Sequence, residues 1–96
     1  MTGKQRAYLR GLANKIDNCY IIGKDGITDN FIKLVDDALN AKELIKIKIL
    51  ESALLSNKEV AAKLCDELCC QSVQMIGSKV VLYRENKKDK KIILPR

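Results

Sequence analysis

The most chemically suggestive stretch of the sequence is the four-residue segment Gly23-Lys24-Asp25-Gly26, which follows the apolar residues 19–22. Two glycines at this spacing can bring main-chain N–H groups against a phosphate, and the N-terminus of a following helix adds positive partial charge. Lys24 would contribute a cation, whereas the carboxylate of Asp25 would repel a phosphate. A plain turn between a strand and a helix uses the same residue types. The segment alone is therefore compatible with a phosphate site and with a simple turn.

Residues for acid–base or nucleophilic catalysis are absent or poorly arranged. The chain has no histidine, which is the commonest general base. No GxSxG or HExxH motif occurs, and residues 23–26 are too short for a Walker loop and lack its Gly-Lys-Ser/Thr. Acidic neighbours lie between the apolar positions of predicted helices, as solvated side chains do: Asp29, Asp36, Asp37, Asp66 and Glu67. We therefore predict no catalytic residues and no enzymatic activity.

The four cysteines are candidate ligands for a metal ion. Cys65 and Cys69 are spaced to lie on one helix face and could share a zinc ion, but further ligands would have to come from Cys70, on another face, and from distant Cys19. No CxxC motif is present. In a chain without a secretion signal, thiols are more often reduced than paired in disulfides. We predict structural thiols, no metal and no cofactor.

Positive charge is concentrated at the two ends of the chain. The net charge is +6, with +3 on residues 1–27, −2 on residues 28–71 and +5 on residues 72–96. If folding gathers the two ends on one surface, that surface suits a polyanion such as nucleic acid. Excess lysine that only keeps the protein in solution is the alternative. The four aromatic residues are too few for base stacking to dominate such binding.

The chain has no run of the roughly 18 apolar residues that span a bilayer, and its charged N-terminus lacks the apolar region of a signal peptide. We therefore expect a cytoplasmic protein. We also expect it to be a monomer. Its length suits one domain over residues 1–96, and the apolar fraction of 47% is that of a folded chain.

Apolar periodicity and capping residues predict an alternation of helices and strands. Capping boxes at Thr2 with Gln5 and at Ser56 with Glu59 begin two of the helices. Gly77-Ser78 is typical of a type II′ hairpin turn. The predicted elements are a helix over about 3–16, a strand over 19–22, a helix from Thr28 to near Ala41, a strand over 43–50, a helix over about 57–70 and a hairpin around residues 77–78.

This order predicts an α/β fold of one domain, in which helices pack on a mixed four-stranded sheet in the order α-β-α-β-α-β-β. The first two strands, linked by a helix, should be parallel, and the hairpin adds an antiparallel pair. In ELIKIKIL, alternation predicts one buried face and one basic face carrying Lys46 and Lys48. After a charged loop, ENKKDKK, the short apolar tail IILPR could add one further edge strand, which Pro95 would end.

Four segments, in order and at similar spacing, resemble those of a known family: KQRAYLRGLANKI, IIGKDGIT, ELIKIKIL and VQMIGSKVVLYRENKKDKKIILPR. The family is the CRM domain (chloroplast RNA splicing and ribosome maturation), in the stand-alone bacterial form of the YhbY-like proteins. The resemblance covers nearly the whole chain. Four ordered motifs are far more specific than two spaced glycines.

This resemblance implies an RNA-binding domain with a mixed four-stranded sheet backed by helices, similar to the C-terminal domain of bacterial translation initiation factor three. It also implies that Gly23, Lys24, Asp25 and Gly26 form a GxxG loop comparable to that of KH domains. Asp25 departs from the Asn that family members often have there. Bacterial single-domain members are associated with precursors of the large ribosomal subunit, and plant relatives with group II intron splicing.

The sequence thus predicts an RNA-binding protein that assists assembly of the large ribosomal subunit by holding structured ribosomal RNA. Lys24 and the loop amides would engage phosphate, and a basic track would continue from them: Arg6, Arg10, Lys46, Lys48 and Arg84. The alternative is a protein-interaction module that docks an acidic partner on the ribosome or its precursors. Binding to an anionic membrane is disfavoured, because no predicted helix combines a strongly basic face with a large exposed apolar one.

Overall fold

The computed structural model describes residues 1–88 and 90–95; Asp89 and Arg96, which belong to the predicted charged loop and tail, lie outside the described residues. In the described part of the chain, three α-helices, one short 3-10 helix and four strands follow one another. Their bounds are α1 Gly3–Ala13, β1 Tyr20–Ile22, α2 Asp29–Lys42, β2 Leu44–Ile49, the 3-10 helix Glu51–Ala53, α3 Asn57–Leu68, β3 Gln71–Ile76 and β4 Lys79–Tyr83.

Both predicted capping boxes are present. At the start of α1, the hydroxyl of Thr2 accepts from the main-chain N–H of Gln5 (3.1 Å), and the Gln5 side chain accepts from the N–H of Thr2 (3.0 Å). Ser56 and Glu59 make the same reciprocal pair at the start of α3. These bonds satisfy main-chain donors that a helix leaves without a partner in its first turn.

Two helices are shorter than predicted. α1 ends at Ala13 rather than near residue 16, because the chain continues in two tighter turns that bring Ile16 back against the core. α3 ends at Leu68 rather than Cys70, because Cys69 adopts the left-handed conformation (φ 54°) that terminates a helix. Cys70 then lies past the helix and is buried.

The four strands form one mixed sheet in the order β1-β2-β4-β3. β1 and β2 are parallel and β3 and β4 are antiparallel, as predicted, and β4 also runs antiparallel to β2. Gly77 takes the positive φ (56°) that the predicted hairpin turn requires. The carboxyl ends of β1 and β2 and the β3–β4 turn meet at one end of the sheet, called the loop end below.

Both faces of the sheet carry apolar residues. α2 and α3 cover one face, where Ile45, Ile47 and Ile49 pack with Val80 and Leu82. α1 covers part of the other face, and its Leu9 and Ala13 pack against a set of strand side chains: Leu44, Val73, Val81 and Tyr83. The prediction that the second face of β2 is simply basic is therefore wrong at Leu44, which is buried under α1.

The predicted edge strand in the C-terminal tail is absent from the described residues 90–95. The carboxylate of Glu43, which has no exposed surface, accepts instead from the main-chain N–H groups of Asn86 (2.8 Å), Lys91 and Ile92 (2.6 Å). Ile92 and Leu94 then pack beside α1. Because these amides are held by a side chain, they are not available to a neighbouring strand.

Within the described part of the chain, no helix combines the length and the apolar character needed to cross a membrane.

Replacement of Glu43 by Ala should lower the free energy of unfolding by about 3 kcal/mol, because the partly buried N–H groups of Asn86, Lys91 and Ile92 would lose their carboxylate acceptor. Urea denaturation measures the change. Glu51→Ala, which removes an exposed carboxylate, is the control and should change stability by less than about 0.5 kcal/mol. Equal effects of the two substitutions would show that Glu43 does not hold the tail.

Candidate nucleic-acid interface

The predicted loop is a tight turn between β1 and α2. The N–H of Gly26 donates to the carbonyl of Gly23 (3.0 Å), and Lys24 and Asp25 occupy the two central positions, both exposed. Thr28 then caps α2 by accepting from the N–H of Phe31 (3.1 Å). The turn already uses the N–H of Gly26 as a donor. The loop therefore presents the Lys24 ammonium to its surroundings, but not the Gly26 N–H.

The two glycines differ in what the fold demands of them. Gly26 has φ 68°, a conformation that side chains with a Cβ rarely adopt. Gly23 has no such φ, and a Cβ placed on it would meet nothing within 4 Å. The fold therefore requires glycine at position 26 but tolerates a side chain at position 23. Glycine at position 23 leaves the main chain open to close approach from outside the protein.

The loop borders an open depression of about 490 Å³ that lies between the loop and α3. Its walls carry charges of both signs, from Lys24 and Asp25 on the loop and from Glu59 and Lys63 on α3. Glu59 is engaged in the α3 capping box, and Lys63 pairs with Glu67 (2.9 Å). No ion pair or hydrogen bond of the described residues engages the Lys24 ammonium, so it is the cation that this depression offers to a ligand.

Two further lysines lie at the loop end of the sheet. Lys48 is the penultimate residue of β2, beside Ile21 of β1, and it lies directly opposite Lys79 of β4. Both lysines are exposed, and no ion pair or hydrogen bond within residues 1–88 and 90–95 engages either ammonium. The fold thus brings Lys24, Lys48 and Lys79 to one end of the molecule.

Lys79 was missed by the sequence reasoning. Its position directly after the Gly77-Ser78 turn was evident, but its neighbour across the sheet was not. The hairpin could have paired with β2 through either of its strands or in another register. Only the observed order, with β4 next to β2, places Lys79 opposite Lys48.

Lys46 and Arg10 differ in whether their charged groups are engaged within the protein. The Lys46 ammonium donates to the carbonyl of Ile16 (3.1 Å) and its side chain is half-buried, because the segment after α1 crosses this part of β2. Arg10 is exposed in the last turn of α1, where a cation complements the helix dipole. Arg10 thus remains accessible to a ligand, whereas Lys46 is partly engaged by the protein.

Arg6 and Arg84 are engaged within the protein. Arg6 donates from α1 to the carbonyls of Ser72 and Val73 (3.3 Å to Val73) in β3. The guanidinium of Arg84 has its own set of partners on α2 and α3: the carbonyl of Leu68 (3.0 Å), the carbonyl of Asp36 (3.1 Å), the amide oxygen of Asn40 (2.9 Å) and the Asp36 carboxylate (2.8 Å). Both arginines tie distant segments together, and Asp36 is half-buried in this contact rather than fully solvated.

The basic residues of the C-terminal segment lie at the opposite end of the sheet from Lys24. β4 runs from Lys79 at the loop end to Tyr83, and Arg84 follows it beside Glu43. Strand geometry separates the two ends by about 15 Å. The four lysines of the charged loop are exposed beyond that end, and one of them, Lys90, pairs with Glu85 (3.3 Å): Lys87, Lys88, Lys90 and Lys91.

The cysteines do not gather into a ligand set. Cys65 and Cys70 lie with their sulfur atoms 3.7 Å apart, and burial is the main cause that raises the pKa of Cys70 to about 12. Burial also raises the pKa of Cys65. Among the described residues, no group of three or more Cys, Asp or Glu side chains is placed to hold a metal ion. These two thiols are therefore held in their neutral, weakly coordinating form.

Alanine should affect the two loop glycines differently. Gly26→Ala forces a Cβ into a left-handed conformation and should lower the free energy of unfolding by about 1–2 kcal/mol, whereas Gly23→Ala should change it by less than about 0.5 kcal/mol. Thermal or urea denaturation of the two variants measures the difference. Equal losses of stability in the two variants would contradict the conclusion that the backbone conformation requires glycine at position 26 but not at position 23.

Comparison with known proteins agrees with the resemblance found in the sequence. The chain is 41% identical over 95 residues to "Probable RNA-binding protein YqeI" of Bacillus subtilis, with 99% of each chain covered. It is 32% identical over 96 residues to a protein of Haemophilus influenzae named "RNA-binding protein", covering 100% of this chain and 96% of the relative.

A solved structure also matches the fold. It is the solution structure of the hypothetical protein SAV1595 from Staphylococcus aureus, with a TM-score of 0.76, 44% identity and 99% of each chain covered. The sequence model described as the CRS1 / YhbY (CRM) domain matches residues 1–84, which contain every helix and strand of the structure. The chain therefore belongs to the CRS1 / YhbY (CRM) domain family.

Proposed function

We propose that this chain is a cytoplasmic, non-enzymatic RNA-binding protein that assists assembly of the large ribosomal subunit by holding structured ribosomal RNA. Binding of RNA is supported by the names of its relatives in Bacillus and Haemophilus. The observation on this chain that carries the proposal is the exposed Lys24 on a turn whose main chain is open at Gly23, at the same end of the sheet as Lys48 and Lys79.

Two positive groups favour phosphate contact at the loop. The ammonium of Lys24 supplies a full charge, and the N-terminus of α2 adds the partial positive charge of a helix of fourteen residues. Asp25 opposes an approach along its own side chain, so we place the phosphate on the Gly23–Lys24 side of the turn. The main ligand would be the RNA backbone rather than base edges, because ammonium and main-chain N–H groups bind phosphates. Such contacts orient the RNA but do not read its sequence.

The remaining predicted residues have different parts in this proposal. Lys48 and Arg10 are exposed and extend the basic surface, and Lys46 contributes charge while it is held by the protein. Arg6 and Arg84 act through the fold, because their guanidinium groups are occupied by main-chain carbonyls and a carboxylate. Binding should weaken steeply as salt rises, since neutralised phosphates release their counterions.

The double substitution Gly23→Asp with Lys24→Ala should lower affinity for a transcript of large-subunit ribosomal RNA at least about tenfold near physiological salt, since it removes a cation and closes the main chain to phosphate. Gly26 is kept because the fold needs it. Lys33→Glu on the outer face of α2 is the control, because it changes net charge by the same amount. Filter binding or fluorescence anisotropy measures affinity, and wild-type affinity in the double variant would refute the loop contact.

Docking of an acidic protein is the second candidate, and the side chain of Leu54 favours it. Leu54 is 89% exposed and has a positive φ (56°), which is uncommon for a bulky residue, and its chain neighbours Ala53 and Leu55 line the depression beside the loop. If RNA is the ligand, association with ribosomal particles should be lost after ribonuclease treatment. Association that survives the treatment would support the protein-docking alternative.

Crosslinking in cells, followed by sequencing of the attached RNA, tests the assembly role. The proposal predicts enrichment of large-subunit ribosomal RNA and its precursors over messenger RNA. Cells that express the Gly23→Asp, Lys24→Ala double variant provide the control and should lose that enrichment. Recovery mainly of messenger RNA would contradict the assembly role while leaving RNA binding intact.

A further inference from the structure

Four exposed side chains cross the sheet in a single row at its loop end. The register aligns Ile21 of β1 with Lys48 of β2, Lys48 with Lys79 of β4, and Lys79 with Ile76 of β3. Partners aligned in this way point to the same face of a sheet. Ile21 is 56% exposed and Ile76 is 62% exposed. We call Ile21, Lys48, Lys79 and Ile76 the sheet row.

The sheet row lies on the face that α1 covers only in part. Leu9 and Ala13 of α1 pack over the half of this face that contains Leu44 and Tyr83. α1 ends at Ala13, and the segment that follows crosses only as far as Lys46, whose ammonium holds the carbonyl of Ile16. A shallow depression of about 210 Å³ marks the border between covered and uncovered sheet; its walls include Asn14, Lys46, Gln74, Ile76 and Lys79.

The charge of the row is not balanced by the protein. Lys48 and Lys79 face each other across antiparallel strands, and like charges at such positions repel. Within the described residues, neither ammonium makes an ion pair with a carboxylate. An anion seated between the two would replace this repulsion with two attractions. The row is therefore complementary to a phosphate at its centre and to apolar surface at its two ends.

We propose that the sheet row is a second contact surface for RNA and that it takes unpaired nucleotides, an inference that rests on the proposed RNA-binding function. One backbone phosphate lies between the ammonium groups of Lys48 and Lys79. The neighbouring bases or riboses lie against Ile21 and Ile76. A single RNA chain reaches this surface and the Lys24 turn together, because Lys24 and Lys48 lie at the same end of the sheet.

The apolar ends of the row favour unpaired nucleotides over duplex RNA. The backbone of a duplex presents phosphates and sugars to a flat surface and keeps the faces of its bases stacked inside, whereas an unpaired base exposes an apolar face. Isoleucine offers contact area but no hydrogen bonds, so the row has no means to read base edges. The contact is therefore expected to have little sequence preference.

The test compares a short oligouridylate with an RNA duplex of the same length. Lys48→Gln and Lys79→Gln, each alone, should weaken oligouridylate binding about threefold or more and lower its dependence on log salt by about 0.7. Lys33→Gln on α2 is the matched control and should leave both unchanged. Ile21→Ser with Ile76→Ser should weaken binding of the oligouridylate but not of the duplex. Lys48→Gln and Lys79→Gln should each also raise the urea midpoint of the free protein, because each removes the repulsion between these two lysines.

Each other result overturns the proposal. Wild-type affinity of the Lys48→Gln and Lys79→Gln variants for oligouridylate would show that the sheet row is not part of the interface. The Gly23→Asp, Lys24→Ala variant then distinguishes failure of the sheet row from failure of the proposed function. If that variant loses RNA binding, the proposed function still stands. Equal weakening of duplex and oligouridylate by the isoleucine variant would refute the preference for unpaired nucleotides. Displacement of oligouridylate from wild type by polyglutamate as readily as by unlabelled oligouridylate would assign the row to acidic protein.

Discussion

The buried carboxylate of Glu43 is the interaction on which the arrangement of the molecule most depends. It lies at the junction of α2 and β2, in a conformation with positive φ (65°), and it holds the C-terminal segment through three main-chain N–H groups. Its own carbonyl accepts from the N–H of Arg84 (2.9 Å). An ion in the interior is tolerated only where hydrogen bonds replace its hydration. These bonds close one end of the sheet, and the opposite end carries the exposed Lys24, Lys48 and Lys79.

Arginine and lysine are used differently at the two ends. Arg84 and Arg6 spend their donors on carbonyls of other segments, a geometry that the planar, forked guanidinium suits. Lys24, Lys48 and Lys79 at the loop end are exposed. The proposed surface for a polyanion is therefore smaller than the net charge of +6 suggests. It is also more sharply located, because the C-terminal lysines lie about 15 Å away along the strands.

Local patterns predicted the elements well, and the partners of individual side chains poorly. The capping boxes, the alternation in β2 and the Gly77 turn depend on neighbours within a few residues, so their signals survive in the sequence. Strand order sets the partner of Lys79, and nothing near Glu43 in the sequence announces that its carboxylate will capture N–H groups more than forty residues away. The predicted edge strand failed for that reason, and the apolar tail packs beside α1 instead. Likewise, no local pattern shows that Arg6 and Arg84 face carbonyls rather than solvent.

The most direct test of the central claim is to follow the main-chain amide signals of the isotopically labelled protein by NMR during titration with a fragment of large-subunit ribosomal RNA. The loop and sheet surfaces described above predict the largest shifts at Gly23, Lys24, Lys48 and Lys79. Small shifts are expected on the outer faces of α2 and α3, where exposed acidic residues such as Asp37 and Asp66 lie. Shifts confined to α2 and α3, or to the lysines after Arg84, would contradict the assignment of the loop end as the RNA-binding surface.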